Sequence, residues 1–245
     1  MLETGLEIIA YNINRKSHDL RFFEFGKTYK NSDDGYAEKE NFCFWLTCKN
    51  AGGDWKRHVY VADFFTVKGI VESLLLTVNV KDVEFGAPEN FEKGIFQTVC
   101  KDEHELGMIL QADPAFLQRF DIRQPVVYAE LNYQAILNAA AKKAITFSEI
   151  AQFPTVERDL AVVLQKNIAF QSIEKSLKNI RIPYLQQFHL FDIFESDRIG
   201  NDKKSLAINF SFLNPEKTLT DQDVEAVMQT IVKKLETDFD AEVRK

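Results

Sequence analysis

Cysteine, histidine and glycine are all sparse in this 245-residue chain. Its three cysteines, Cys43, Cys48 and Cys100, form no Cys-x-x-Cys pair, and the four histidines, His18, His58, His104 and His189, are scattered. A zinc site needs several such ligands at short spacing, so no metal is expected, and Cys43 and Cys48 in NFCFWLTC read as reduced, buried small hydrophobes. The ten glycines include one doublet, Gly52-Gly53, which suits a hairpin turn. There is no phosphate-binding glycine loop and no Ser-His-Asp or Cys-His spacing. No apolar run approaches the ~18 residues of a membrane span. The start, MLETGLEIIAYNINRKS, lacks the basic end and small-residue cleavage site of a secretory signal, so a cytoplasmic location is expected. Positive charge is short as well. The net charge is −7, with 17 basic and 22 acidic residues in 1–150 and 13 and 15 in the remainder. A module that grips nucleic acid by charge alone needs clustered Lys and Arg, so any RNA contact must be local or shared with a partner.

What is present suits a globular chain of one or two domains: 45% of residues are hydrophobic and 27% charged. Leu6, Ile9, Ala10 and Ile13 follow helical spacing almost from Met1, with no capping residues, as in a chain cut from something longer. Strands are expected at 22–29 and 41–48. The stretch RFFEFGKTYKNS holds the first of these, and Asn31 to Gly35 breaks it. Asp63 caps a helix whose stripe is Phe64, Val67, Ile70, Val71, Leu74 and Leu75. Short strands follow near 83–85, 95–100 and 107–110, then a Pro-led helix at 114–120, a strand at 126–131 and an Ala-rich helix at 133–141. This is an α+β domain, residues 1–148, with an antiparallel sheet and packed helices.

Residues 141–154 read as a linker. Beyond them, within residues 149–245, the order is βαββαβ, a split ferredoxin-like unit: strands at 159–164, 184–194, 205–213 and 241–244, and helices at 171–180 and 221–238. Thr220 and Asp223 resemble a capping box, ahead of a stripe of Val224, Val227, Met228, Ile231 and Leu235. Such a unit leaves one sheet face uncovered. Alternation assigns Leu206, Ile208, Phe210 and Phe212 to the core and Ser205, Ala207, Asn209 and Ser211 to the open side. On the neighbouring strand Phe191 and Ile193 suit the core, which leaves Leu190, Asp192 and Phe194 open. A ring that stacks a base beside a carboxylate that accepts from its edge makes a base-binding platform. The plainer alternative is a Phe194 tucked under a loop and a merely solvated Asp192.

The second domain resembles the ferredoxin-fold anticodon-binding domain of bacterial phenylalanyl-tRNA synthetase β subunits. The resemblance rests on Phe153-Pro154, Arg158-Asp159-Leu160-Ala161, Leu190-Phe191-Asp192-Ile193-Phe194, Lys204-Ser205-Leu206-Ala207, Thr218-Leu219-Thr220-Asp221 and Val243-Arg244. Ala10-Tyr11-Asn12-Ile13-Asn14-Arg15, Phe23-Glu24-Phe25-Gly26, Asp63 to Gly69, Phe120-Asp121-Ile122 and Tyr128 to Leu131 are similar to that family's class II-like, non-catalytic domain. The resemblance implies an α-subunit partner in an α2β2 assembly, tRNA(Phe) as ligand, and ATP and Mg on the α subunit, with no cofactor and no membrane contact here. It implies a degenerate class II motif at Phe23, Glu24, Gly26, Lys30 and Ser32, where Lys30 and Ser32 replace a working Arg and Glu. A lysine is a flexible point charge rather than a planar fork, and a serine cannot do what the glutamate does, so this chain is expected to be inactive alone. It implies anticodon contacts at Asp192, Phe194 and Ser205. Arg158 either meets a phosphate or makes an ordinary ion pair. This chain departs from the family pattern at Leu110-Gln111-Ala112-Asp113-Pro114, at Phe194 where Tyr is usual, and at Asp240 where Gly is usual. Two rivals remain: an active adenylate-forming protein with altered motifs, and an assembly module whose open sheet face binds protein.

Overall fold

A computed structural model describes residues 1–32, 35–48, 62–141 and 151–244. The expected turn at Gly52-Gly53 and most of the 141–154 linker lie outside these residues. The chain divides into two compact units, Met1–Thr146 and Phe147–Lys245.

The first unit is built on an antiparallel sheet. Its strands are β1 (Leu20–Ser32), β2 (Gly35–Thr47), β3 (Glu84–Phe85), β4 (Glu89–Phe91), β5 (Gly94–Lys101), β6 (His104–Ala112) and β7 (Val126–Asn132). Their order is β1-β2-β7-β6-β5-β3, with β4 also on β5. The runs FCFWL on β2 and VVYAEL on β7 are nearly continuous in apolar residues because both sheet faces are covered. On one face Phe44, Leu46, Val127, Ala129 and Leu131 meet α2 (Phe64–Thr77) and α4 (Tyr133–Ala141). On the other, Cys43, Trp45, Val126 and Tyr128 meet α1 (Leu2–Ile13) and α3 (Pro114–Gln118). Asp63 caps α2, its Oδ1 accepting from Thr66 N–H at 2.7 Å. Of the expected α2 stripe Val67, Val71 and Leu75 are fully buried, whereas Ile70 is an exposed residue. Helix α1 lies so close to the sheet that a Cβ on Gly5 would stand 2.1 Å from the Trp45 ring.

Strands β1 and β2 pair over their whole length, from Leu20–Thr47 to Ser32–Gly35. Burial on β2 begins at Asn41, so residues 35–40 are exposed on both faces. The sequence expectation of a strand only from 41 missed this half. YAEKE has no apolar alternation to read, and pairing with β1 alone makes it a strand.

The second unit has strand order β11-β8-β10-β9, from β8 (Val156–Gln165), β9 (Leu185–Phe194), β10 (Lys203–Phe212) and β11 (Glu242–Val243). Helices α5 (Phe170–Lys178) and α6 (Asp221–Phe239) bury Ile173, Leu177, Val224, Ile231 and Leu235 with Leu206, Ile208, Phe210 and Phe212. The capping box of α6 is complete: Asp223 N–H donates to Thr220 Oγ1 at 3.2 Å, and Thr220 N–H donates to Asp223 Oδ2 at 3.1 Å. These bonds from Thr220, aided by Lys217, hold the Asp223 carboxyl below its ordinary 3.8. A lowered folded-state value gives stability that is full above pH 3.8 and is lost as pH falls through the folded value. Asp223→Asn is therefore expected to lower the thermal midpoint by a few degrees at neutral pH. The gap should close in acid below about pH 3.8, read by circular dichroism melts of both chains.

Helix α6 ends on Asp240 in the left-handed region, φ 51° and ψ 39°. Glycine reaches that conformation without Cβ strain, which is the physical reason for glycine at such a cap. Asp240→Gly is expected to raise stability by about 0.5–1 kcal/mol, measured by urea unfolding.

Candidate nucleic-acid interface

The register of β10 fixes what shares the uncovered face of the second sheet. Ser205 stands opposite Phe194 on β9 and Val163 on β8, Ala207 opposite Asp192 and Ala161, and Asn209 opposite His189 and Asp159. Phe194, Asp192 and Ser205 thus come together in two adjacent rows. Phe194 is 45% exposed, and Ser205 is buried in the row beside it.

Simple alternation misassigned two of their neighbours. Strand β9 shifts register between the Ala207 and Ile208 pairings, so Leu190 pairs with Ile208 while Asp192 pairs with Ala207. Phe191 is the extra residue of this bulge. Leu190 therefore packs on the core, and Phe191, expected inside, is 52% exposed. Ile193 pairs with core-facing Leu206 but remains 53% exposed at the sheet edge.

Arg158 is not in this group. It pairs in register with core-facing Phe210, donates to the Glu157 carbonyl at 2.9 Å, and makes an ion pair with Asp221 at the start of α6 at 2.5 Å. The guanidinium on the open face is instead that of Arg244. Arg244 N–H donates to the Ala161 carbonyl at 2.9 Å, and its Cζ lies 5.3 Å from the Phe194 ring centroid. It spans the sheet from the β11 end because Ala161 and Ala207 leave the intervening row low. The sequence held this signal, alanines in register beside a terminal arginine, but only the pairing makes it legible.

The face is not basic. Asp159 accepts from Asn209 Nδ2 at 2.8 Å, and Lys203 is paired with Glu242 at 2.8 Å. A ring bearing a guanidinium, next to an exposed carboxylate, offers stacking and edge hydrogen bonds rather than a phosphate track.

The degenerate motif lies in the first unit. Phe23 and Phe25 are 70% and 63% exposed and belong to an aromatic cluster with Phe42 and Tyr133: Phe25 is 4.7 Å from Phe42 and 5.8 Å from Tyr133 between centroids. Glu24 is exposed opposite Cys43, and Gly26 is where a Cβ would meet Met1 Cε at 2.3 Å. Lys30 is exposed and pairs with Ala37, and the backbone of Ser32 ends β1 opposite Gly35. Phe23 and Phe25 belong to an exposed ring cluster and Gly26 lies beside the end of the Met1 side chain, whereas Lys30 and the backbone of Ser32 stand at the far end of the hairpin. Among the described residues no group of three or more His, Cys, Asp and Glu side chains is placed to hold a metal ion, and no helix is long and apolar enough to cross a membrane.

Residues 151–244 match the family described as "Ferredoxin-fold anticodon binding domain". That match gives the class of the second unit: an anticodon-binding module of ferredoxin fold. Residues 1–133 match "Phenylalanyl tRNA synthetase beta chain CLM domain". The chain belongs to the phenylalanyl-tRNA synthetase β chain family. It is 33% identical over 257 residues to the phenylalanine–tRNA ligase β subunit of Bacteroides thetaiotaomicron, and 32% identical over 250 residues to that of Streptococcus pneumoniae. In both cases the match covers 100% of this chain and 31% of the relative, so the chain spans about a third of the length of these curated proteins. Among solved structures, pyrrolysyl-tRNA synthetase from Desulfitobacterium hafniense aligns over 58% of this chain and 49% of its own, with a TM-score of 0.43 and 18% identity.

Proposed function

We propose that this chain serves phenylalanine–tRNA ligase as the C-terminal portion of its β subunit, with two tasks. Residues 149–245 bind the anticodon stem-loop of tRNA(Phe), and residues 1–148 hold the catalytic α subunit in a cytoplasmic α2β2 assembly. The observation that carries the first task is the convergence of exposed Phe194 and Asp192 with Arg244, beside a buried Ser205, on the sheet face opposite the helices. A base stacks on the Phe194–Arg244 pair, and the Asp192 carboxylate accepts from imino or amino groups on its edge. Phe194 stacks as tyrosine would, without the hydroxyl's hydrogen bond.

The second task rests on the exposed aromatic cluster of Phe23, Phe25, Phe42 and Tyr133, a surface suited to a protein partner. Adenylation belongs to the α subunit, which takes ATP and Mg. Lys30 and Ser32 do not supply the fixed positive fork and carboxylate that phosphate and metal require.

Fluorescence anisotropy of labelled tRNA(Phe) at one stated low salt tests the RNA reading. Saturable binding that weakens when the anticodon bases are changed is the expected result. Binding indifferent to the anticodon contradicts it. Retention of the α subunit with no tRNA binding would favour the assembly-module reading, which the acidic character of the open face supports.

A further inference from the structure

Strand β9 ends its sheet, and among the described residues nothing pairs with its outer edge. A free edge offers unpaired N–H and C=O groups to any second strand, and folds guard it with lysine, proline or shortness. The other sheet ends are guarded: β3 and β11 are two residues each, and β1 carries Arg21, Lys27 and Lys30. Strand β9, LQQFHLFDIF, is ten residues long, with no lysine, arginine or proline and one carboxylate, Asp192. Towards its C-terminal end Phe191 and Ile193 are both more than half exposed.

Its N-terminal end has the opposite shape. There a groove of about 370 Å³ opens between α5 and the strand, lined by Leu177, Ile180, Ile182, Leu185 and Phe188. Phe188, Leu190 and Ile193 pair with core-facing Phe210, Ile208 and Leu206, so all three lie on the helix side of the sheet. His189 and Asp192 pair with Asn209 and Ala207 and lie on the other side. The bulge at Phe191 is what lets Leu190 and Ile193, an odd number of residues apart, share a face.

An apolar knob at one end of a strand and an apolar groove at the other are complementary to an antiparallel copy of the same strand. A parallel copy would set groove beside groove. We propose that a second copy of this chain adds its β9 to this edge, antiparallel about a two-fold axis, and continues the sheet across it. Phe188 stands opposite Ile193, so the exposed Ile193 of each copy enters the mouth of the other's groove. His189 stands opposite Asp192, and its imidazole N–H donates to that carboxylate, once on each side of the axis. Both kinds of pair match faces, as an antiparallel register must. A carboxylate accepts more than one bond, so Asp192 keeps an oxygen for a base. The contact is isologous and closes at two chains.

Cross-linking tests the pairing itself. The 245-residue chain is made as His189→Cys and as Asp192→Cys, each with Cys100→Ser, since Cys43 and Cys48 are buried. Opposite residues on paired strands have Cα atoms about 4.5–5.5 Å apart, within disulfide reach, whereas two copies of position 189, or of 192, stand about 10 Å apart along the strands. Under mild oxidation an equimolar mixture should give the mixed disulfide dimer, and neither chain alone should cross-link comparably. Sedimentation equilibrium of the unmodified chain should show a reversible dimer. Ile193→Lys sets an unpaired ammonium at the groove mouth, so it should weaken that dimer by about ten-fold or more with the circular dichroism spectrum retained. Phe25→Lys, among the exposed rings of the first unit, should leave the dimer intact. Three results would overturn the proposal: cross-linking of either cysteine chain with itself in place of the mixture, a dimer lost in Phe25→Lys but kept in Ile193→Lys, or a chain still monomeric at about 100 μM, where even transient specific contacts form. The last would leave the edge to an extended segment of another protein.

Discussion

Replacing Phe194 by alanine is expected to weaken binding of tRNA(Phe) by roughly ten- to a hundred-fold at fixed salt. The size follows from the loss of one base-stacking ring, about 1–3 kcal/mol. Phe194 is nearly half exposed at the end of an edge strand, so the change removes little core, and the melting curve should barely move. Arg244→Ala should act through the same ring. The guanidinium lies over Phe194, and its loss frees the ring to reorient while removing a positive group from an acidic surface. The two substitutions should therefore be non-additive, with the double variant losing less than the sum of the singles. Asp192→Asn should instead relax discrimination between anticodons, because it exchanges a pure acceptor for a mixed group without touching the stack. Anisotropy titrations of the four chains against matched and altered tRNAs measure all three effects. Additive losses would separate Arg244 from the ring and contradict a joint platform.

Gly5→Ala is expected to destabilise the first unit by about 1–3 kcal/mol net, the reverse of the usual effect of this change in a helix. In an open helix interior alanine gains about 1 kcal/mol over glycine. Here the added Cβ would stand 2.1, 2.4 and 2.6 Å from three atoms of the Trp45 indole. That ring has no room to retreat. It is 2% exposed, lies tilted against the Tyr128 ring at 5.1 Å between centroids, and donates from Nε1 to the Leu2 carbonyl at 3.3 Å. Helix and sheet must part, and overpacking outweighs propensity. A smaller ring should relieve the clash, so Trp45→Phe together with Gly5→Ala should recover part of the loss even though Trp45→Phe alone destabilises. Urea unfolding of the three variants decides the point. A rise in stability for Gly5→Ala alone would mean that α1 does not approach the sheet this closely.

The parts of this fold that can be read directly from the chain are those written in short-range chemistry. Thr220 and Asp223 announce a helix start through a local hydrogen-bond pair. Asp63 caps α2, and the strand expected at 126–131 falls at Val126–Asn132. The alternation of Leu206, Ile208, Phe210 and Phe212 placed Ser205 and Ala207 on the side of the sheet away from the helices, although Ser205 is buried there. What the chain conceals is non-local. The bulge at Phe191 adds one residue to β9, and one residue reverses faces, so Leu190 and Phe191 exchange the roles that alternation gives them. The sequence put Asp192 and Phe194 on the open face, and register brings Arg244 to them across a low row of alanines. For Arg158 the sequence leaves a phosphate contact and an ion pair both open, and only the approach of Asp221, far along the chain, decides for the ion pair.

We propose that the face of the second sheet opposite its helices reads the anticodon. The most direct measurement is an amide NMR titration of the 245-residue chain with the anticodon stem-loop of tRNA(Phe). The expected shifts cluster at Asp192, Phe194, Ser205, Ala207 and Arg244, fade when the loop bases are changed, and spare Arg158 and the helix side of that sheet. Shifts centred on α5 and α6, or confined to the first unit, would contradict the claim.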